Sequence, residues 1–198
     1  NINNHDNDSS SNYFGNLTSA NNTTNISQNV SQKPVSTINI QDAYKVLRDS
    51  STGLIIGQLN ICSLIEHFDE LNHILSLNSF DVFGLNETFL SDNVSDNYIN
   101  VDNYYVYRKD RKCNTITNHR GGVAFYVNMQ CKHVVRDDLS SEKLELLTIE
   151  LMPLKRKPTI VVLWYRVPGS CIDLFDHLQQ LLQVIESEGK DYILMGDL

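Results

Sequence analysis

The longest clear apolar run in the chain is Ile160–Tyr165, and every other run is shorter. Runs of that length bury as strands and fall far short of the roughly 20 residues that cross a bilayer. Between them lie stretches with helical spacing, so the chain is bound to alternate short buried strands with amphipathic helices. Leu54–Asn60 reads as a buried strand ending in a polar residue, and Asp81–Glu87 as a second. Phe68, Leu71, Ile74 and Leu75 recur at helical intervals with acids and amides opposite. A polar loop runs from Ser91 to Asn103. Tyr104–Tyr107, Gly121–Val127 and Lys132–Arg136 read as three strands of an antiparallel meander. Leu144–Leu151 and Thr159–Trp164 form a further pair, joined through Pro153–Pro158. Ile172, Phe175, Leu178, Leu181, Leu182 and Ile185 make the stripe of another helix, and Asp191–Met195 is a last strand delivering Gly196-Asp197.

Composition divides the chain. Residues 1–52 are dominated by Asn, Ser and Thr and cannot bury enough apolar area to offset roughly 1–2 kcal/mol of backbone ordering per residue. They are expected to be a disordered leader, with one short helix over Asp42–Arg48, and residues 53–198 to be the folded part. Four cysteines (Cys62, Cys113, Cys131, Cys171) show no C-x-x-C spacing, so reduced thiols and an intracellular protein are expected. No apolar signal segment opens the chain, and no membrane association is expected. The net charge of −8 excludes a protein coated in nucleic-acid-binding charge, although a local basic patch is compatible with it.

Such a patch exists. Arg108 to Arg120 holds five basic residues, Arg108, Lys109, Arg111, Lys112 and Arg120, against Asp110, with Tyr104, Tyr105 and Tyr107 beside it. It reads as a phosphate-facing loop with stacking aromatics, or equally as a solvated charged hairpin. Asn60, Glu87 and Asp197 each end a strand, where open α/β sheets collect ligands, and their oxygens suit a hard cation such as Mg²⁺. Taken singly, each is also what a strand-end turn uses. Tyr165 closes its strand either as a core-edge residue or as a phosphate contact.

The order of seven segments carries a resemblance: LNICSL at 59–64, LNETFL at 85–90, YYVYRKDR at 104–111, RGGVAFYV at 120–127, LELLTIEL at 144–151, WYRVP at 164–168 and ILMGDL at 193–198. Together they resemble the endonuclease/exonuclease/phosphatase superfamily, and more closely the apurinic-type endonuclease domain of non-LTR, LINE-like retrotransposons. The resemblance implies a four-layer α/β sandwich, here C-terminally truncated. It also implies a DNA-nicking endonuclease that leaves a 3′-hydroxyl to prime reverse transcription. Asn60 and Glu87 would bind Mg²⁺, or Mn²⁺ in its place; Tyr165 would contact the scissile phosphate and Asp197 would ready the water. Arg108, Arg111 and Arg120 are expected to bind DNA. The element's reverse transcriptase is expected on the same full-length polypeptide, and the nucleus as the place of action.

Some positions depart from the family pattern. Cys62 stands where Arg is common, Arg120 where a third glycine is usual, and Val167 where a first proline is usual. The Asn of G-D-x-N and the later S-D-H segment are not in the sequence, so this chain alone is expected to be inactive. Two alternatives are a catalytically dead interaction scaffold and a superfamily phosphatase acting on inositol phosphate or phospholipid.

Overall fold

The computed structural model describes residues 39–51, 53–112 and 120–198. Among them, eight strands form two four-stranded sheets. The first holds β1 (Ile56–Asn60), β2 (Val82–Asn86), β3 (Tyr104–Lys109) and β4 (Val123–Asn128) in the order β1-β2-β4-β3. The second holds β5 (His133–Val135), β6 (Glu145–Leu151), β7 (Thr159–Tyr165) and β8 (Asp191–Asp197) in the order β5-β6-β7-β8. The pairs β1–β2 and β7–β8 are parallel; the remaining neighbours are antiparallel.

Period-two alternation explains the layers. In β4, Val123, Phe125 and Val127 face the second sheet and pack with Ile149, Leu151, Val161 and Leu163. Ala124 and Tyr126 face the other way, onto Leu71 and Leu75 of helix α2 (Phe68–Leu75). In β7, Ile160, Val162 and Trp164 meet Leu178, Leu181 and Ile185 of helix α3 (Leu174–Ser187). Strands buried on both faces become continuous apolar runs. The result is a four-layer α/β sandwich: helix, sheet, sheet, helix. No helix among the described residues is long and apolar enough to cross a membrane.

The structure corrects two expectations. The meander stops at two strands: β3 pairs with β4, but β5 crosses to the second sheet and pairs with β6, His133 opposite Leu151. The two edges of β4 are already taken by β2 and β3, so no hydrogen-bonding edge remains there for a third meander strand. The boundary at residue 52 also moves. Helix α1 (Ile40–Ser50) is tied to the first sheet by Arg48, whose Nη1 and Nη2 both donate to Asp81 Oδ1 at 3.0 Å. The other Asp81 oxygen accepts from Ile55 N, and Tyr44 packs edge-on against Phe80. The rest of the expected leader, residues 1–38, lies outside the described residues. The loop at 91–103 is polar as expected, yet Ile99 and Val101 within it are fully buried and pin it to the first sheet's outer core.

Candidate active site

Four strands bring their functional ends to one end of the sandwich. Parallel pairing sets Asn60 beside Asn86 at the tips of β1 and β2, and Tyr165 beside Asp197 at the tips of β7 and β8. The two sheets are joined there by Asn86, which is fully buried: its Nδ2 donates to Trp164 O at 3.1 Å and its Oδ1 accepts from Gln58 Nε2 at 2.7 Å. Glu87 follows directly and turns back at φ +55°, a left-handed conformation unusual for a non-glycine residue. Backbone bonds hold that turn on both sides. Ser63 N donates to Glu87 O and Leu64 N to Thr88 O, while Thr88 N and Phe89 N donate to Gly122 O and Gly121 O.

Two glycines are required here. Gly122 has φ +86°, and a Cβ there would collide with Thr88 Oγ1. Gly196 has φ +135°, and a Cβ there would collide with the Trp164 carbonyl, so only glycine lets β8 close onto β7 and deliver Asp197.

Asn60, Glu87 and Asp197 meet. Asn60 Nδ2 donates to Glu87 Oε1 at 2.8 Å and to Asp197 Oδ2 at 3.1 Å, the second contact spanning 137 positions of sequence. Tyr165 stands beside Asp197 in the β7–β8 register, near the Glu87 carboxylate. Burial, then the neighbouring Glu87 carboxylate, push the phenol up to about 12, so Tyr165 is neutral at physiological pH. The Glu87 carboxylate and the Asn60 amide oxygen are donor types a hard divalent cation takes, although here Asn60 turns its nitrogen to the carboxylates. Among the described residues no group of three or more His, Cys, Asp or Glu side chains stands at metal-binding spacing. Cys62 adjoins it: Sγ lies 3.3 Å from Asn60 Oδ1 and 3.7 Å from Glu87 Oε2. Desolvation and the Glu87 charge raise its thiol above the ordinary value.

The three arginines expected on DNA go to different places. Arg108 pairs in register with Ala124, on the face turned away from the second sheet. It donates to Val94 O at 2.8 Å and pairs with Asp96 and Asp110, so it braces the 91–103 loop and is not brought to the site. Arg111 is brought there: its guanidinium carbon lies 5.5 Å from the Tyr165 ring centroid. Arg120 stands exposed beside Gly121. Lys109 turns between the sheets to the carbonyls of Ser141 and Leu144. Of the tyrosines, Tyr105 is exposed and packs with Tyr107 and His133. Tyr104 is buried with its hydroxyl on Phe80 O, and Tyr107 is hydrogen-bonded to His133. A groove of about 700 Å³ extends from Arg111 and Glu145 past Lys112 and Lys143.

Sequence reasoning missed Asn86 and Glu145. Glu145 Oε2 accepts from Arg111 Nε at 2.8 Å and Nη2 at 2.6 Å, and its Oε1 accepts from Gly122 N. Its partners lie 34 and 23 positions away, and no local pattern marks a charge at a strand start as their anchor.

The Endonuclease/Exonuclease/phosphatase family model matches residues 46–198. No curated protein matches by sequence. The fold is similar to the human Nocturnin catalytic domain with bound sulfate anion (13% identity, TM-score 0.53, 73% of this chain and 63% of that one). It is also similar to the endonuclease domain of TRAS1, a telomere-specific non-LTR retrotransposon (13% identity, TM-score 0.50, 73% of this chain and 58% of that one). The chain thus spans about three fifths of the length of these structures.

Proposed function

This chain belongs to the endonuclease/exonuclease/phosphatase family, whose members are hydrolytic nucleases or phosphatases, and from that premise we propose that it is part of a divalent-metal-dependent, DNA-nicking endonuclease of a non-LTR retrotransposon. The observation that carries this reading is the convergence of Asn60, Glu87, Tyr165 and Asp197 from both sheets onto one hollow. The likeness to the TRAS1 endonuclease domain supports the choice of substrate, as do the RGGVAFYV and WYRVP segments.

A phosphodiester is anionic and repels its attacker, so charge must be neutralised and the water readied in place. Asn60 and Glu87 would hold Mg²⁺ or Mn²⁺, and the bound ion would neutralise charge developing on the phosphoryl oxygens. Tyr165, protonated and held in the ladder between β6 and β8, donates its hydroxyl proton to a phosphate oxygen. Asp197, exposed at the tip of β8, accepts the proton of the attacking water. Arg111 supplies the nearby positive charge. Cleavage leaves a 5′-phosphate and a 3′-hydroxyl, the end a reverse transcriptase carried on the same full-length polypeptide extends. That role places the protein in the nucleus.

Nicking of supercoiled plasmid by the full-length protein tests this. Glu87→Ala is expected to lower the rate by about 10³-fold or more while circular dichroism stays native. An unchanged rate would overturn the site, and a native protein that hydrolyses inositol phosphates but leaves plasmid intact would overturn the substrate.

A further inference from the structure

We propose that Glu145 is a positioning residue for phosphodiester cleavage, holding the Arg111 guanidinium against Tyr165 and, through Gly122, buttressing the turn that carries Glu87. The inference rests on the nuclease reading above.

One carboxylate serves two segments. Its Oε2 binds the Nε–Nη2 edge of Arg111, a two-donor contact that fixes a planar guanidinium in orientation as well as in place. Its Oε1 takes Gly122 N, whose own carbonyl accepts from Thr88, the residue after Glu87. Register makes the arrangement specific. Glu145 lies directly opposite Tyr165 in the β6–β7 ladder, so the residue that orients Arg111 and the ring beneath Arg111 are cross-strand neighbours. The pair is largely withdrawn from water, with side-chain exposures of 22% for Arg111 and 13% for Glu145.

Charge competition gives this pair a function beyond packing. Arg111 stands over the ring of Tyr165, Tyr165 is the register partner of Asp197, and Asp197 shares the Asn60 amide with Glu87. An unanchored guanidinium there is attracted to these carboxylates and would compete with the cation for Glu87. Glu145 occupies one edge of Arg111 and so keeps the acids for the cation and the arginine for the phosphate.

Two measurements test the proposal in the full-length protein. In plasmid nicking, Glu145→Gln is expected to lower kcat about tenfold or more with KM for DNA changed less than about threefold. The Glu145→Gln/Arg111→Ala double variant should be no slower than Arg111→Ala, because both remove one unit. Additive losses, or a native rate in a folded Glu145→Gln protein, would overturn it. Independently of activity, the Arg111 Nε–H resonance, assigned by its loss in Arg111→Ala, should exchange slowly in the native protein. It should shift with dimethyl phosphate and become fast-exchanging in Glu145→Gln. A resonance indifferent to Glu145→Gln overturns the positioning role whatever the nicking rate. A protein that never nicks DNA yet shows these responses refutes the nuclease reading and leaves the positioning intact. If Glu145→Gln fails to fold, Glu145→Asp keeps the charge but shortens the reach. The same resonance and kcat then decide.

Discussion

The two halves of the candidate site are built to different standards. Asn60 and Glu87 sit where the ends of β1, β2 and β4 are laced together. Asn86 is fully buried between the sheets, Thr88 is 1% exposed, and successive backbone bonds tie residues 61–64 to 86–88 and residues 88–89 to 121–122. Asp197 sits at the tip of β8, an edge strand whose Asp191, Tyr192 and Ile193 are all exposed. What holds it is the ladder to β7, the bond from Arg166 N to Asp197 O, and the absence of a side chain at Gly196. The contrast fits the division of labour. In the proposed reading a cation needs ligands fixed in advance, and the left-handed backbone at Glu87 is held by bonds on both sides.

That contrast can be broken at its weak side first. Gly196→Ala cannot be accommodated against the Trp164 carbonyl, so the end of β8 must lift and carry Asp197 away. Misplacement on this scale is expected to lower the nicking rate about 100-fold. An unchanged rate in a folded Gly196→Ala protein would show that this contact does not place Asp197.

The strong side breaks through stability. Asn86→Ala leaves the Trp164 carbonyl and the Gln58 amide without their partner. A loss of about 1–3 kcal/mol is expected in denaturant titration. A variant as stable as the native chain would mean that the two sheets do not depend on this bridge.

The smallest effect lies away from the site, where Arg136 pairs with Asp138, Glu150 and Glu188, and Lys190 with Glu150 and Glu188. Hydrogen bonds from Arg136 and then Lys190 lower Glu188 from 4.5 to about 2. A depressed acid stabilises the fold above its unfolded value and loses that contribution as pH falls through the folded one. The melting temperature should therefore decline between pH 4.5 and 2, and less so in Glu188→Gln. Parallel declines in the two proteins would remove Glu188 from the network's account of acid sensitivity.

Much of this architecture was legible before any coordinates, and for a local reason. Short apolar runs marked β1, β2, β4, β6 and β7, spacing near 3.6 marked α2 and α3, and polar residues ending those runs marked Asn60, Glu87 and Asp197. These signals are carried by neighbours in the chain, so the chain alone determined the elements, their order and the residues at their tips. The tertiary structure decided what meets. It sent β5 to the second sheet because β4 had no free edge. It turned Arg108 outward while bringing Arg111, beyond the end of β3, to Tyr165. It joined Asn60 to Asp197 and made Glu145 an anchor. Such contacts depend on strand order and register, which are settled by burying all faces of two sheets at once and leave no periodic trace in the sequence.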